Sequence, residues 1–121
     1  MARVIHFEIP AENPERAAAF YKKAFGWNFQ KWGQMDYWLV KTGEDGQPGI
    51  NGGMMPKQGP VTNTANTIGV ESVDASVKTV IDAGGKLVME KTPIPTVGYF
   101  AYLQDTEGNI FGVMQADPNA K

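Results

Sequence analysis

Between residues 99 and 114, two apolar runs, Tyr99 to Leu103 and Ile110 to Met114, flank the polar stretch Asp105-Thr106-Glu107-Gly108-Asn109. Two runs joined over so few polar residues predict a hairpin. Gly and Asn accept the positive φ that a tight reversal demands, and Asp can bond its own backbone there. Both runs are apolar at successive positions, so both faces of each strand should be covered. The hairpin then belongs inside a layered domain and not at a sheet edge.

The rest of the chain supplies the layers. Val4 to Ile9 reads as a strand with Val4, His6 and Glu8 on one face and Ile5, Phe7 and Ile9 on the other. Asn13 and Pro14 open a helix that runs to about Phe25, with Ala17, Phe20, Tyr21, Ala24 and Phe25 at helical spacing and Gly26 as its stop. Strands are predicted over 27–32, 37–41 and, more weakly, 50–55. Residues 57–65 are polar, without periodicity, and read as a linker. A second cycle follows: a strand over 66–71, a helix capped by Ser72 or Asp74 with the stripe Val73, Val77, Val80 and Ile81, a Gly84-Gly85 stop, and a strand over 86–91. The Pro-containing stretch 92–97 reads as a loop, and Asp117-Pro118-Asn119 as a fraying tail. The order is strand, helix, three strands, twice over.

Composition narrows the function. A chain of 121 residues suits one domain with its own core. It has no cysteine, which removes disulfides and thiolate metal sites. A net charge of −2, with no basic stripe, argues against nucleic acid and anionic membrane as partners. The start lacks an apolar leader pattern, and no apolar run approaches the ~18 residues of a membrane span. A cytoplasmic protein is the expectation. No Gly-x-Ser-x-Gly elbow occurs, and Ser72 and Ser76 lie at a helix start where capping explains them. The stretch Ile50-Asn51-Gly52-Gly53-Met54-Met55 lacks the Lys-Ser/Thr of a phosphate loop, so its glycines point to a bend or a close approach.

Three stretches carry a family resemblance. Pro14 to Trp27, with Phe20-Tyr21 and the trailing Gly26, resembles the first helix of the vicinal oxygen chelate superfamily, which includes glyoxalase I, bleomycin-resistance proteins, fosfomycin-resistance enzymes and extradiol dioxygenases. Asp74 to Gly85 resembles its second helix. Asp105-Thr106-Glu107-Gly108-Asn109 resembles its Asp-Pro-x-Gly-Asn turn, with Thr in place of Pro. The resemblance implies an α+β fold of two βαβββ modules, about 1–56 and 66–116, within a single domain of 1–121 that forms an incomplete barrel around a cup. It also implies homodimers, and a metal held by four His, Glu or Gln side chains, one from each of four strands.

Carried over residue by residue, that ligand set is mostly missing. Counted back from Phe20-Tyr21, His6 falls on the first ligand position; counted from the strand's own apolar pattern, Val4 does. A shift of two keeps the face, so His6 looks into the cup in either case. The second position falls within Asn51-Gly52-Gly53, the third around Ala65 or Asn66, and the fourth on Gly112, with Gln115 on the opposite face. A single imidazole does not hold a divalent ion, so no metal and no cofactor are expected. His6 is the only histidine and, with Glu8, is the candidate for acid–base work. Trp38, Met54, Thr67, Tyr102 and Gln104 are the candidate ligand-binding residues, since a cup lined with aromatic and Met side chains suits a flat or apolar organic molecule. The expected function is binding of a small molecule without a standard metal site. The alternatives are an enzyme of lyase, isomerase or dioxygenase-like type with an altered site built on His6 and Glu8, and a structural module with a filled cup.

Overall fold

The computed structural model describes residues 2–121, which form two compact units, His6–Thr64 and Ala65–Lys121 together with the start of the chain through Ile5. The elements are β1 (Arg3–Ala11), α1 (Pro14–Phe25), β2 (Asn28–Lys31), β3 (Trp38–Lys41), β4 (Gly52–Pro56), β5 (Ala65–Gly69), α2 (Val73–Asp82), β6 (Lys86–Ile94), β7 (Gly98–Gln104) and β8 (Ile110–Ala116). Each unit is a βαβββ module, and the fold is α+β.

In the His6–Thr64 unit the strands run in the order β2-β3-β4-β1. α1 begins where the Asn13 side chain accepts a hydrogen bond from the Arg16 N–H, with Pro14 in the first turn. It ends at Gly26, whose φ of 76° lets its N–H turn back to the Lys22 carbonyl. The chain then returns through β2 and β3 so that β4 lies parallel to β1, with Glu8 beside Gly53 and Ile9 beside Met54. One face of this sheet carries the buried Ala11, Val40 and Met54, and Phe7, Ile9, Trp38 and the Ala17–Ala18 stripe of α1 pack on them.

In the second unit the order is β5-β8-β7-β6. β8 and β7, the predicted hairpin, are interior, and their turn is closed by the Asp105 N–H bonded to the Asn109 carbonyl at 3.0 Å and by Gly108 at φ 87°. Val73, Ala101, Leu103 and Val113 form the core, with Val77 and Val80 of α2 packed against them. Ser72, not Asp74, is the cap of α2, accepting from the Ala75 N–H. Gln115 does lie on the face away from Gly112; its Oε1 accepts the Val73 N–H at 3.0 Å and completes the helix start.

Two expectations are corrected. The stretch 92–97 is not wholly loop: β6 continues to Ile94, with Pro93 paired to Tyr99. Proline is tolerated there because β6 is the last strand in its order and needs no outward N–H. Residues 117–119 do not fray. The Asp117 N–H donates to the Val97 carbonyl, the Thr96 N–H to the Ala120 carbonyl, and Ala120 is buried.

Candidate functional site

In each unit, strand parity separates a face that packs on the helix from one that does not. In the His6–Thr64 unit the second face carries His6, Glu8, Gly53 and Tyr37. The Tyr37 hydroxyl donates to Glu8 Oε2 at 3.0 Å and lies 2.8 Å from His6 Nε2. Glu8 is 6% exposed, and His6 is half-buried. A carboxylate that deep is stable only when it is hydrogen-bonded, and Tyr37 supplies one such bond. Burial pushes the His6 imidazole below its ordinary range, while the Glu8 charge pulls the other way. Burial thus favours the neutral form of the His6 imidazole.

Gly53 is what admits Tyr37. A Cβ on Gly53 would lie 1.8 Å from the Tyr37 hydroxyl oxygen, so the ring occupies the volume that a side chain at 53 would need. Tyr37 was not among the residues singled out as site candidates in the sequence. Its partners are 29 and 31 residues away, and the only local signal is the side-chain-free position that pairs with Glu8.

Trp38 and Met54 sit elsewhere. They are paired across β3 and β4 on the α1 side of the sheet, where Met54 is fully buried and the Lys31 ammonium lies 5.5 Å from the Trp38 ring centre. The structure brings His6 and Glu8 together but places Trp38 and Met54 on the other side of the strands that carry them.

In the second unit Thr67, Gly112 and Tyr102 form one row across β5, β8 and β7. Gln104 follows two positions along β7 on the same face. Phe100 and Tyr102 meet edge to face, their centroids 4.7 Å apart. The Phe100 ring fills the side-chain space of Gly112, its Cζ being 2.4 Å from where a Cβ would stand. Thr67 is 2% exposed, and its Oγ1 has no hydrogen-bond partner among the described residues. The two units thus repeat one device: a polar side chain beside a glycine whose space an aromatic ring has taken.

Two cavities, of about 470 Å³ in the 42–51 loop and about 530 Å³ beside α2, are not lined by these candidate residues. No helix among the described residues is long and apolar enough to cross a membrane.

Comparison with known proteins sets this geometry in a family. The sequence profile described as bleomycin resistance protein-like N-terminal matches residues 3–43. A glyoxylase-like domain-containing protein of Didymella fabae is 31% identical over 115 residues, covering 88% of this chain and 88% of that protein. The chain belongs to the vicinal oxygen chelate superfamily. CFP32 of Mycobacterium tuberculosis, which carries a provisional glyoxylase designation, is 32% identical over 92% of this chain, and the match spans only 43% of CFP32. Among solved structures, a methylmalonyl-CoA epimerase bound to methylmalonyl-CoA superposes with a TM-score of 0.70 at 13% identity, covering 100% of this chain and 99% of that one. A protein from Bacillus halodurans does so with a TM-score of 0.68 at 12% identity, covering 99% and 98%. At these identities the structural likeness shows the fold alone.

The superfamily implies a metal, and the residues present do not fit one. Gly53, within the stretch 51–53 where the resemblance places one ligand, and Gly112, where it places another, have no donor, and the Tyr37 and Phe100 rings stand where a side chain at either would begin. Among the described residues no three His, Cys, Asp or Glu side chains converge.

Proposed function

We propose that this chain binds a small, flat or partly apolar organic molecule, and that it does so without the superfamily's metal centre. The observation that carries this reading is the aromatic filling of Gly53 and Gly112, which replaces ligand positions with ring surface. The Thr67 hydroxyl supports it. A buried hydroxyl without a partner costs roughly 1–3 kcal/mol, and a ligand oxygen or nitrogen would satisfy it. Tyr102 and Phe100 offer an aromatic wall beside it, and Gln104 a polar edge. The bleomycin resistance protein-like match over residues 3–43 favours the same class of function. In this reading the working form is a cytoplasmic homodimer.

The test uses the three tryptophans as reporters. Anilinonaphthalene sulfonate, titrated into the protein, should quench them saturably and with the same affinity in the presence of excess chelator. Binding that appears only after a divalent metal is added would overturn the reading. No binding by any flat aromatic probe would favour a filled, structural module.

A second reading, a proton-transfer enzyme, is favoured by one observation. His6, whose neutral form burial favours, is joined through Tyr37 to a buried carboxylate. The glyoxylase and epimerase names of the relatives lie in the same direction.

A further inference from the structure

We propose that His6, Tyr37 and Glu8 form a proton relay in which His6 Nδ1 accepts a proton from a weakly acidic ligand and Glu8 stores it. The inference rests on the second reading above and assigns a role to Tyr37.

The direction of the relay follows from the hydrogen count. Tyr37 has one hydroxyl proton, and it points to Glu8 Oε2 at 3.0 Å. The phenol oxygen is then an acceptor toward His6 Nε2 at 2.8 Å, so Nε2 carries the imidazole proton and Nδ1 the lone pair. Nε2 is thereby committed within the chain, and Nδ1 is the atom of His6 that remains to meet a ligand.

The step balances without a cofactor. The ligand's acidic C–H or O–H bond breaks, and its electron pair stays on the ligand. A bond forms between that proton and Nδ1. The Nε2 proton passes to the Tyr37 oxygen, and the Tyr37 proton passes to Glu8 Oε2. The imidazole ends neutral in its other tautomer, Tyr37 ends as a phenol, and Glu8 ends as a carboxylic acid. One negative charge has moved from Glu8 to the ligand, and no imidazolium is formed. Burial opposes an imidazolium, so handing the proton on is the less costly route. The substrate class is a small, flat compound with an acidic hydrogen next to an electron-withdrawing group. His6 would be the catalytic residue; Tyr37 and Glu8 act through it and are positioning residues.

Two measurements on the full chain decide the matter. His6 is the only histidine, so the imidazole nitrogen resonances of uniformly ¹⁵N-labelled protein belong to it alone. Above its titration the neutral ring should be the Nε2–H tautomer, and Tyr37→Phe should shift the Nε2 resonance while leaving the fold intact. A dominant Nδ1–H tautomer would overturn the relay. The second measurement uses nitrobenzisoxazole, a flat carbon acid whose ring opens to a coloured phenolate on loss of one proton. The wild-type protein should accelerate the opening. His6→Ala should abolish the acceleration, and Tyr37→Phe and Glu8→Gln should each lower it roughly 10²-fold. Acceleration that survives in both conservative variants overturns the relay and leaves an enzyme that uses His6 alone. Failure of the wild type to accelerate the reaction overturns the relay and the enzyme reading together. The fluorescence titration then reports independently on whether the binding reading stands.

Discussion

At the scale of single residues, the absence of a side chain does as much here as its presence. Gly53 lies beside Glu8, and the Tyr37 hydroxyl stands 1.8 Å from where its Cβ would be. That hydroxyl is hydrogen-bonded to both His6 and Glu8, so it is not a free end that can swing aside. Gly53→Ala should therefore force Tyr37 off His6 and Glu8 and cost about 1–3 kcal/mol, measured by urea denaturation. In a Tyr37→Ala background the same change should cost much less, because the space is already empty. Equal costs in both backgrounds would show that Tyr37 is not what Gly53 accommodates. The sequence made His6 and Glu8 legible through simple alternation on one strand. It could not reveal Tyr37, because the geometry that recruits it comes from a parallel pairing between β1 and β4 that no local pattern encodes. For the same reason Trp38 and Met54 read as wall residues from their chemistry, while the register puts them under α1.

At the scale of elements, the helices were legible because their signals are local. Asn13, Pro14 and Gly26 fix α1 within a turn of each end, and Ser72 does the same at the start of α2. The hairpin turn was legible on the same grounds: Asp105 accepts from the Glu107 and Asn109 N–H groups at 2.8 and 2.9 Å. The end of β6 was not, because Pro93 is a breaker in any strand except one at an edge, and edge position is a property of the sheet. Nor was the C-terminal segment, which reads as polar and loose. In the structure it closes over the β6–β7 turn, where Thr96 is held at φ 66°, an unfavourable conformation for a β-branched residue. Removing residues 117–121 deletes two hydrogen bonds to that turn and the buried Ala120. The truncated chain should lose about 1–3 kcal/mol of stability, seen as a lower urea midpoint with little change in slope. An unchanged midpoint would mean that the tail merely rests on the turn.

At the scale of the whole molecule, His6 and Asp105 are shifted in the same direction. His6 is held below its ordinary value of 6.5, chiefly by burial, and Asp105 below 3.8, chiefly by the Asn109 side-chain amide and then by the Asn109 and Glu107 N–H groups. For each group the folded protein binds its proton less readily than the unfolded chain does. Stability is then complete above the unfolded value and falls as pH drops from that value through the folded one. Two windows follow, one opening below pH 6.5 from His6 and one below pH 3.8 from Asp105. Asp105 lies in a surface turn, so its window concerns the fraying of that turn. The His6 window concerns the proposed relay, because a ring protonated at both Nε2 and Nδ1 would put a cation in a half-buried position, a cost that the Glu8 charge offsets in part. The urea midpoint should fall between pH 7.5 and pH 5, with a slope below the limit of about 1.4 kcal/mol per pH unit for one proton. His6→Gln should flatten that fall while leaving the loss below pH 3.8 in place. If the fall persists undiminished in His6→Gln, the proton responsible binds elsewhere, and the neutral imidazole on which the relay depends loses its support.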